Sequence, residues 1–169
     1  ILAGDCAFHS RRMDDLLDSL RSCLEGIRPV CGSIPLFSSV TGRLQAGDSL
    51  GPEHWARNLR QTVRFADSTD ALIREGFDLF LEIGPQPALG AGILSVAEAR
   101  GRTVTVLASL RQGQSDRDTM LGSLGTLYTR GFGIRWEKVC TAGRVQKLPR
   151  YPFQRERFWR EITFDSHAF

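Results

Sequence analysis

The stretch FDLFLEIGPQPALGAGILSVAEARGRTVTVL runs from Phe77 to Leu107 and predicts a strand, a helix and a second strand in that order. Residues 77–83 are mostly apolar, and residues 103–107 are rich in β-branched side chains, so both segments predict strands. The Gly-Pro-Gln-Pro segment at 84–87 forces a tight turn, after which residues 88–99 can form a helix. Alternating strands and helices predict an α/β layer fold with a largely parallel sheet.

The segments on either side of this unit continue the alternation. A short buried strand is predicted at residues 34–40, with a polar loop after it. Pro52 suits the first position of a helix, and helical segments should then reach Arg74. Further along, apolar spacing predicts an amphipathic helix around residues 120–128, and residues 134–136 a short extended piece.

A second strongly patterned stretch begins at His9. Apolar residues follow it at steps of three and four, which predicts one face of a helix with Ser10 as its N-cap. Those residues are Met13, Leu16, Leu17, Leu20, Cys23, Leu24 and Ile27. A histidine at such a helix start can act as a general base, or it can be a structural residue that caps the helix. Spacing alone favours the structural interpretation.

Composition excludes several classes of protein. A length of 169 residues predicts one domain, and a net charge of +3 with interspersed signs argues against a nucleic-acid or membrane-surface partner. Since no signal peptide or membrane-spanning run is recognised, a cytoplasmic protein is expected. No metal site is expected either, because the chain has three histidines and its cysteines lack ligand spacing. The cysteines are Cys6, Cys23, Cys31 and Cys140.

The segment from Gly143 onward predicts a linker. Pro149 and Pro152 keep the backbone extended, and the aromatic residues follow no helical or strand period. Those residues are Tyr151, Phe153, Phe158 and Trp159. Aromatic side chains in an extended segment leave water only by lying on a neighbouring surface.

Four motifs, in order, resemble the malonyl-type acyltransferase domains of type I polyketide synthases. They are CAFHS at 6–10, similar to HAFHS; HWARNLR at 54–60 with VRF at 63–65, similar to YWVRNLREPVRF; FLEIGP at 80–85; and LPRYPFQRERFW at 148–159, similar to LPTYPFQRERYW.

The resemblance implies that the chain is the C-terminal part of such a domain. Residues 1–8 would end the small ferredoxin-like subdomain, and residues 9–142 would belong to the hydrolase-like large subdomain, a parallel sheet flanked by helices. Residues 143–169 would be the linker that follows the acyltransferase and folds back toward the ketosynthase.

Acyl transfer between thioesters needs a nucleophile, a base and donors for the oxyanion. We expect no nucleophile elbow in this chain, because Ser10, Ser33, Ser38 and Ser39 lack the strand-to-helix turn that exposes such a serine. In the resembled family the serine, the substrate-gripping arginine and the oxyanion donors lie upstream of the histidine motif. The chain is therefore expected to be incomplete as an enzyme on its own.

The resemblance assigns roles to five residues. His9 matches the catalytic base, and Asn58 matches the position whose backbone carbonyl orients that base. Cys6, Ala7 and Phe8 match the selectivity motif. Relatives that select malonyl carry Phe at the position of Phe8 and those that select methylmalonyl carry Ser, since a ring fills the space that an α-methyl needs. Cys6 departs from the usual His, a variant that can accompany unusual extender or starter units.

The implied function is loading of malonyl from malonyl-CoA onto the phosphopantetheine of an acyl carrier protein, by a Ser-His ping-pong mechanism. No directly bound cofactor is expected. Implied partners are the upstream half of the acyltransferase, the ketosynthase and the carrier protein. The alternatives are a non-catalytic structural or docking module, a stand-alone thioesterase or hydrolase, and an acyltransferase that selects an unusual acyl group.

Overall fold

The computed structural model describes residues 7–140, 143, 144 and 146–159. These residues fall in two compact units that divide after Gly133. The first unit carries the strands and the first five α-helices, and the second carries one short helix.

The predicted parallel pair is present. Strand β3 (Leu79–Glu82) pairs in parallel with β4 (Thr105–Ala108), with Leu79 opposite Thr105 and Glu82 opposite Ala108. Helix α4 (Gly90–Ala99) connects them, and Gly101 follows it at a φ of 61°, which glycine adopts without steric cost. This strand-helix-strand unit is the α/β arrangement that residues 77–107 predicted, and the predicted fold class is confirmed.

The second sheet is an antiparallel hairpin, and here one prediction was wrong. Strand β1 (Leu36–Ser38) lies within the predicted strand, but β2 (Arg43–Gln45) lies in the segment expected to be a polar loop. Gly42, at a φ of 72°, lets the chain reverse between the strands. A three-residue strand with one strongly apolar residue has too little alternation to be recognised from sequence.

The helices near the histidine follow the predicted order. A 3-10 helix (Arg11–Leu16) continues directly into α1 (Leu17–Cys23), which packs against α2 (Pro52–Arg60). Pro52 is at the helix start, as predicted. Helix α3 (Phe65–Arg74) follows after a four-residue break.

Two further α-helices and a 3-10 helix (Gly47–Ser49) complete the described elements. Helix α5 (Asp116–Thr129) starts four residues before the predicted range, where the Ser115 hydroxyl accepts a hydrogen bond from the Asp118 N–H. Helix α6 (Trp136–Val139) replaces part of the extended piece predicted at 134–136. A pattern of three residues does not distinguish a strand from one helical turn, so this prediction was wrong.

The core is made of small and branched side chains from the helices, from β4 and from the turn after β1. Ala56, Ile73, Ala97 and Ala108 are at most 4% exposed. Helix α3 packs on α4, where a side chain in place of Gly92 would place its Cβ 3.2 Å from the Phe65 ring. Within the described residues, no helix has the length and apolar character needed to cross a membrane.

Residues 146–159 have no helix or strand. Their large side chains are exposed, with Phe158 86% and Trp159 76% accessible. Tyr151 and Phe153 contact each other edge to face, with ring centroids 5.1 Å apart. The assignment of this segment as a linker stays a prediction, as do the predicted boundaries at residues 8 and 142.

Candidate acyl-transfer site

His9 is held in a conformation that is rare for a residue with a side chain. Its φ is 59°, and among the described residues it is the one non-glycine with a positive φ. Such a conformation costs about 1–3 kcal/mol and persists only where neighbouring contacts enforce it. The Ser10 hydroxyl donates a hydrogen bond to the Ala7 carbonyl at 2.6 Å, which closes the turn around His9. The same oxygen accepts from the Arg12 N–H at 3.3 Å and so caps the 3-10 helix, as predicted for Ser10.

Two hydrogen bonds fix His9 to the C-terminal end of α2. Its backbone N–H donates to the Leu59 carbonyl at 2.9 Å, and its Nδ1 lies 2.8 Å from the Gln61 carbonyl oxygen. A carbonyl oxygen can only accept, so Nδ1 carries the proton in the hydrogen-bonded ring. The neutral ring then has its free lone pair on Nε2, which is the arrangement that a general base needs.

The backbone carbonyl that bonds to His9 Nδ1 belongs to Gln61 and not to Asn58, the residue that the motif position predicted. Asn58 lies in the last turn of α2, where a backbone carbonyl points along the helix axis. Gln61 is the C-cap residue and has an extended backbone, with φ −86° and ψ 163°, which turns its carbonyl out of the helical direction. Its own N–H remains bonded to the Arg57 carbonyl at 2.8 Å, so the carbonyl position is anchored to the helix.

Two ion pairs link α2 to the segment after His9. Arg60 pairs with Asp14 of the 3-10 helix, and the Arg21 guanidinium donates to the Glu53 carboxylate at 2.9 Å. The hydrogen bond from Arg21 is the main cause that lowers the pKa of Glu53. Neither pair was predicted from the sequence, because partners 46 and 32 residues apart leave no local pattern.

The predicted selectivity residues lie next to the base in the chain. Phe8 is 56% exposed, so more than half of its surface is uncovered by the described residues. Ala7 is half-buried and accepts the bond from Ser10. Cys6 lies outside the described residues.

One segment, Gly47-Asp48-Ser49-Leu50-Gly51, does have the Gly-x-Ser-x-Gly spacing, and the sequence interpretation overlooked it. The geometry is not that of a nucleophile elbow. Ser49 lies in a 3-10 helix without a positive φ, and its hydroxyl donates to the Ala46 carbonyl at 2.6 Å. It also precedes α2, whereas His9 is bonded to that helix's other end, roughly 13 Å away along nine helical residues.

The other histidine among the described residues, His54, is buried and packs against an aromatic ring. His54 is 6% exposed and contacts the Trp55 ring edge to face, with centroids 5.4 Å apart. Burial, followed by the nearby charge of Arg57, lowers its pKa. No group of three or more His, Cys, Asp or Glu side chains with metal-binding geometry occurs in the described ranges.

Comparison with known proteins identifies the family. The model of the acyl transferase domain family matches residues 2–133. Polyketide synthase GfsA of Streptomyces halstedii is 38% identical over 165 residues, which are 96% of this chain and 2% of that protein. Erythronolide synthase EryA2 of Saccharopolyspora erythraea is 36% identical over 153 residues, 90% of this chain and 4% of that protein.

A solved structure supports the same family assignment. The acyltransferase domain from module 8 of the salinomycin polyketide synthase has a TM-score of 0.75 and 32% identity, and the match covers 80% of this chain and 32% of that one. The chain thus spans a small part of the polyketide synthases it matches and about a third of that solved domain. With His9 and its helix inside the matched region, the chain belongs to the acyl transferase domain family, in the form found in modular polyketide synthases.

Proposed function

We propose that the protein containing this chain transfers malonyl from malonyl-CoA to the phosphopantetheine thiol of an acyl carrier protein, with His9 as the general base. The observation that supports this most is the hydrogen bond between His9 Nδ1 and the Gln61 carbonyl. That bond leaves Nε2 free to accept a proton. A purely structural histidine has no requirement for one free ring nitrogen.

The reaction has two half-reactions that use the same base. In the first, Nε2 accepts the proton of a serine hydroxyl that we place outside this chain, while the serine oxygen attacks the thioester carbonyl. The tetrahedral intermediate collapses with loss of coenzyme A, whose sulfur receives the proton from the imidazolium. In the second, Nε2 accepts the proton of the phosphopantetheine thiol, the sulfur attacks the acyl ester, and the serine oxygen recovers its proton.

A backbone carbonyl is a suitable orienter for this substrate class. It fixes the tautomer as a carboxylate does in the Ser-His-Asp triad, but it adds no full negative charge beside the ring. A malonyl group carries its own carboxylate, which a second carboxylate nearby would repel. The Gln61 carbonyl therefore fits a dicarboxylic acyl group better than a triad aspartate would.

The proposed partners and location follow from family membership and from the exposed side chains of the C-terminal unit. We propose that the aromatic residues of 148–159 lie against the ketosynthase, because side chains as exposed as Phe158 and Trp159 need a surface to leave water. We further propose that the protein works in the cytoplasm, with the upstream half of the acyltransferase and a carrier protein, and without a directly bound cofactor.

The test is a malonyl-transfer assay on the complete acyltransferase domain with a carrier protein. His9→Ala should lower the transfer rate by about 10²-fold or more, the usual range for loss of a general base. Gln61→Ala is the matched control, because it keeps the backbone carbonyl and should retain the rate. Near-normal transfer by a folded His9→Ala domain would exclude the role of His9.

A further inference from the structure

We propose that Arg60 and Asp14 are a positioning pair that holds the C-terminal end of α2 against the turn carrying His9. The inference builds on the proposed function, because it concerns how His9 is kept in place for proton transfer. Neither side chain contacts a reacting atom in this proposal.

Three consecutive residues at the C-terminal end of α2 connect to the His9 segment. The Leu59 carbonyl accepts a hydrogen bond from the His9 backbone N–H at 2.9 Å, and the Gln61 carbonyl oxygen lies 2.8 Å from His9 Nδ1. Arg60 lies between them, and its guanidinium forms an ion pair with the carboxylate of Asp14, five residues after His9. One short segment therefore holds the backbone and the ring of His9 and is itself tied to the helix that His9 precedes.

The pair matters because His9 does not hold its conformation by itself. A φ of 59° is unfavourable for histidine, so His9 relaxes unless its two hydrogen bonds remain in place. Those bonds weaken steeply with distance and angle. A shift of the Leu59–Gln61 segment would misdirect Nε2, and a misplacement of about 1 Å can cost about 10²-fold in rate.

The chain supplies a matched control. Arg21 and Glu53 form a pair of the same chemistry between α1 and α2, with the Arg21 Nε 2.9 Å from a Glu53 carboxylate oxygen. Glu53 is in the first turn of α2, at the opposite end from Gln61. Exposed ion pairs contribute little to stability, so the two pairs should differ in their effect on His9 and not in their effect on the fold.

The experiment measures kcat and KM for malonyl transfer by the complete acyltransferase domain. Arg60→Gln should lower kcat by about tenfold and leave KM unchanged, since a partly misplaced base slows the chemical step without touching the substrate. Arg21→Gln should leave kcat unchanged. The double variant Asp14→Arg, Arg60→Asp restores an ion pair with reversed charges and should recover most of the lost kcat.

The outcomes separate the two proposals. Equal effects of Arg60→Gln and Arg21→Gln on kcat, with His9→Ala inactive, would overturn the positioning role and leave His9 as the base. Full activity of His9→Ala would overturn both. If Arg60→Gln does not fold, Asp14→Asn removes the same ion pair by changing the other partner. Its kcat is then compared with that of Arg21→Gln in the same way.

Discussion

At the scale of single residues, the proposed chemistry depends on a few short contacts around His9. The resemblance predicted a base at His9 and a backbone carbonyl to orient it, and both roles stay predictions. It did not predict that Gln61 supplies the carbonyl, because that depends on the extended C-cap backbone of Gln61 and on the positive φ of His9. Backbone angles at a helix end are set by tertiary contacts that a sequence pattern does not contain.

Phe8 carries the residue-scale prediction about substrate choice. Phe8 is 56% exposed and precedes His9 in the chain, so we expect its ring to occupy the space of an α-substituent on the acyl group. Phe8→Ser should shift the preference of the complete domain toward methylmalonyl by about 10–200-fold at most, because one methyl contact contributes about 1–3 kcal/mol. Competition between the two coenzyme A esters measures this. An unchanged preference would place the selectivity outside residues 6–8.

At the scale of elements, prediction succeeded where a pattern was long or was bounded by glycine and proline residues. The β3-α4-β4 unit was visible because the Gly-Pro-Gln-Pro turn and Gly101 mark its boundaries. Strand β2 and helix α6 were missed because three or four residues carry no usable period. The ion pairs that join α2 to its neighbours were not predictable, since they exist only once the elements pack.

The free energy of unfolding should depend on pH through His54, which lies in α2. Burial lowers the pKa of His54 from its ordinary value of 6.5, so protonation of this ring is less favourable in the folded protein than in the unfolded chain. As pH falls below 6.5 the unfolded chain takes up the proton first, and stability decreases until pH passes the lowered folded pKa. His54→Gln removes this titration.

Urea unfolding of the complete domain at a series of pH values from about 8 to about 5 tests that expectation. The difference in unfolding free energy between the native protein and His54→Gln should narrow toward acid pH. A difference that stays constant across the series would contradict the role given to the buried ring.

At the scale of the whole molecule, much apolar surface is uncovered. Val30, Ile34 and Ile83 are 76%, 83% and 84% exposed, and β3 and β4 form a parallel sheet of two strands. Parallel sheets are normally covered on both faces, and exposed strand edges favour association. Sequence patterns predicted which segments are apolar but not which remain uncovered, since that depends on what packs against them.

We therefore expect the 169-residue chain by itself to bind a hydrophobic dye and to associate, and to transfer no malonyl. Gel filtration with dye fluorescence, compared with the complete acyltransferase domain, measures this. A monodisperse monomer with a sharp unfolding transition and no dye binding would show that these residues form a sufficient core without further chain.

The central claim, that the Gln61 carbonyl holds His9 with Nε2 free as the base, is tested most directly by nitrogen NMR of the imidazole. The complete domain is labelled at histidine, and the His9 signals are assigned by their loss in His9→Gln. At a pH where the ring is neutral, we predict a protonated Nδ1 and an unprotonated Nε2, with the same tautomer in Gln61→Ala. A neutral ring with its proton on Nε2 would contradict the account.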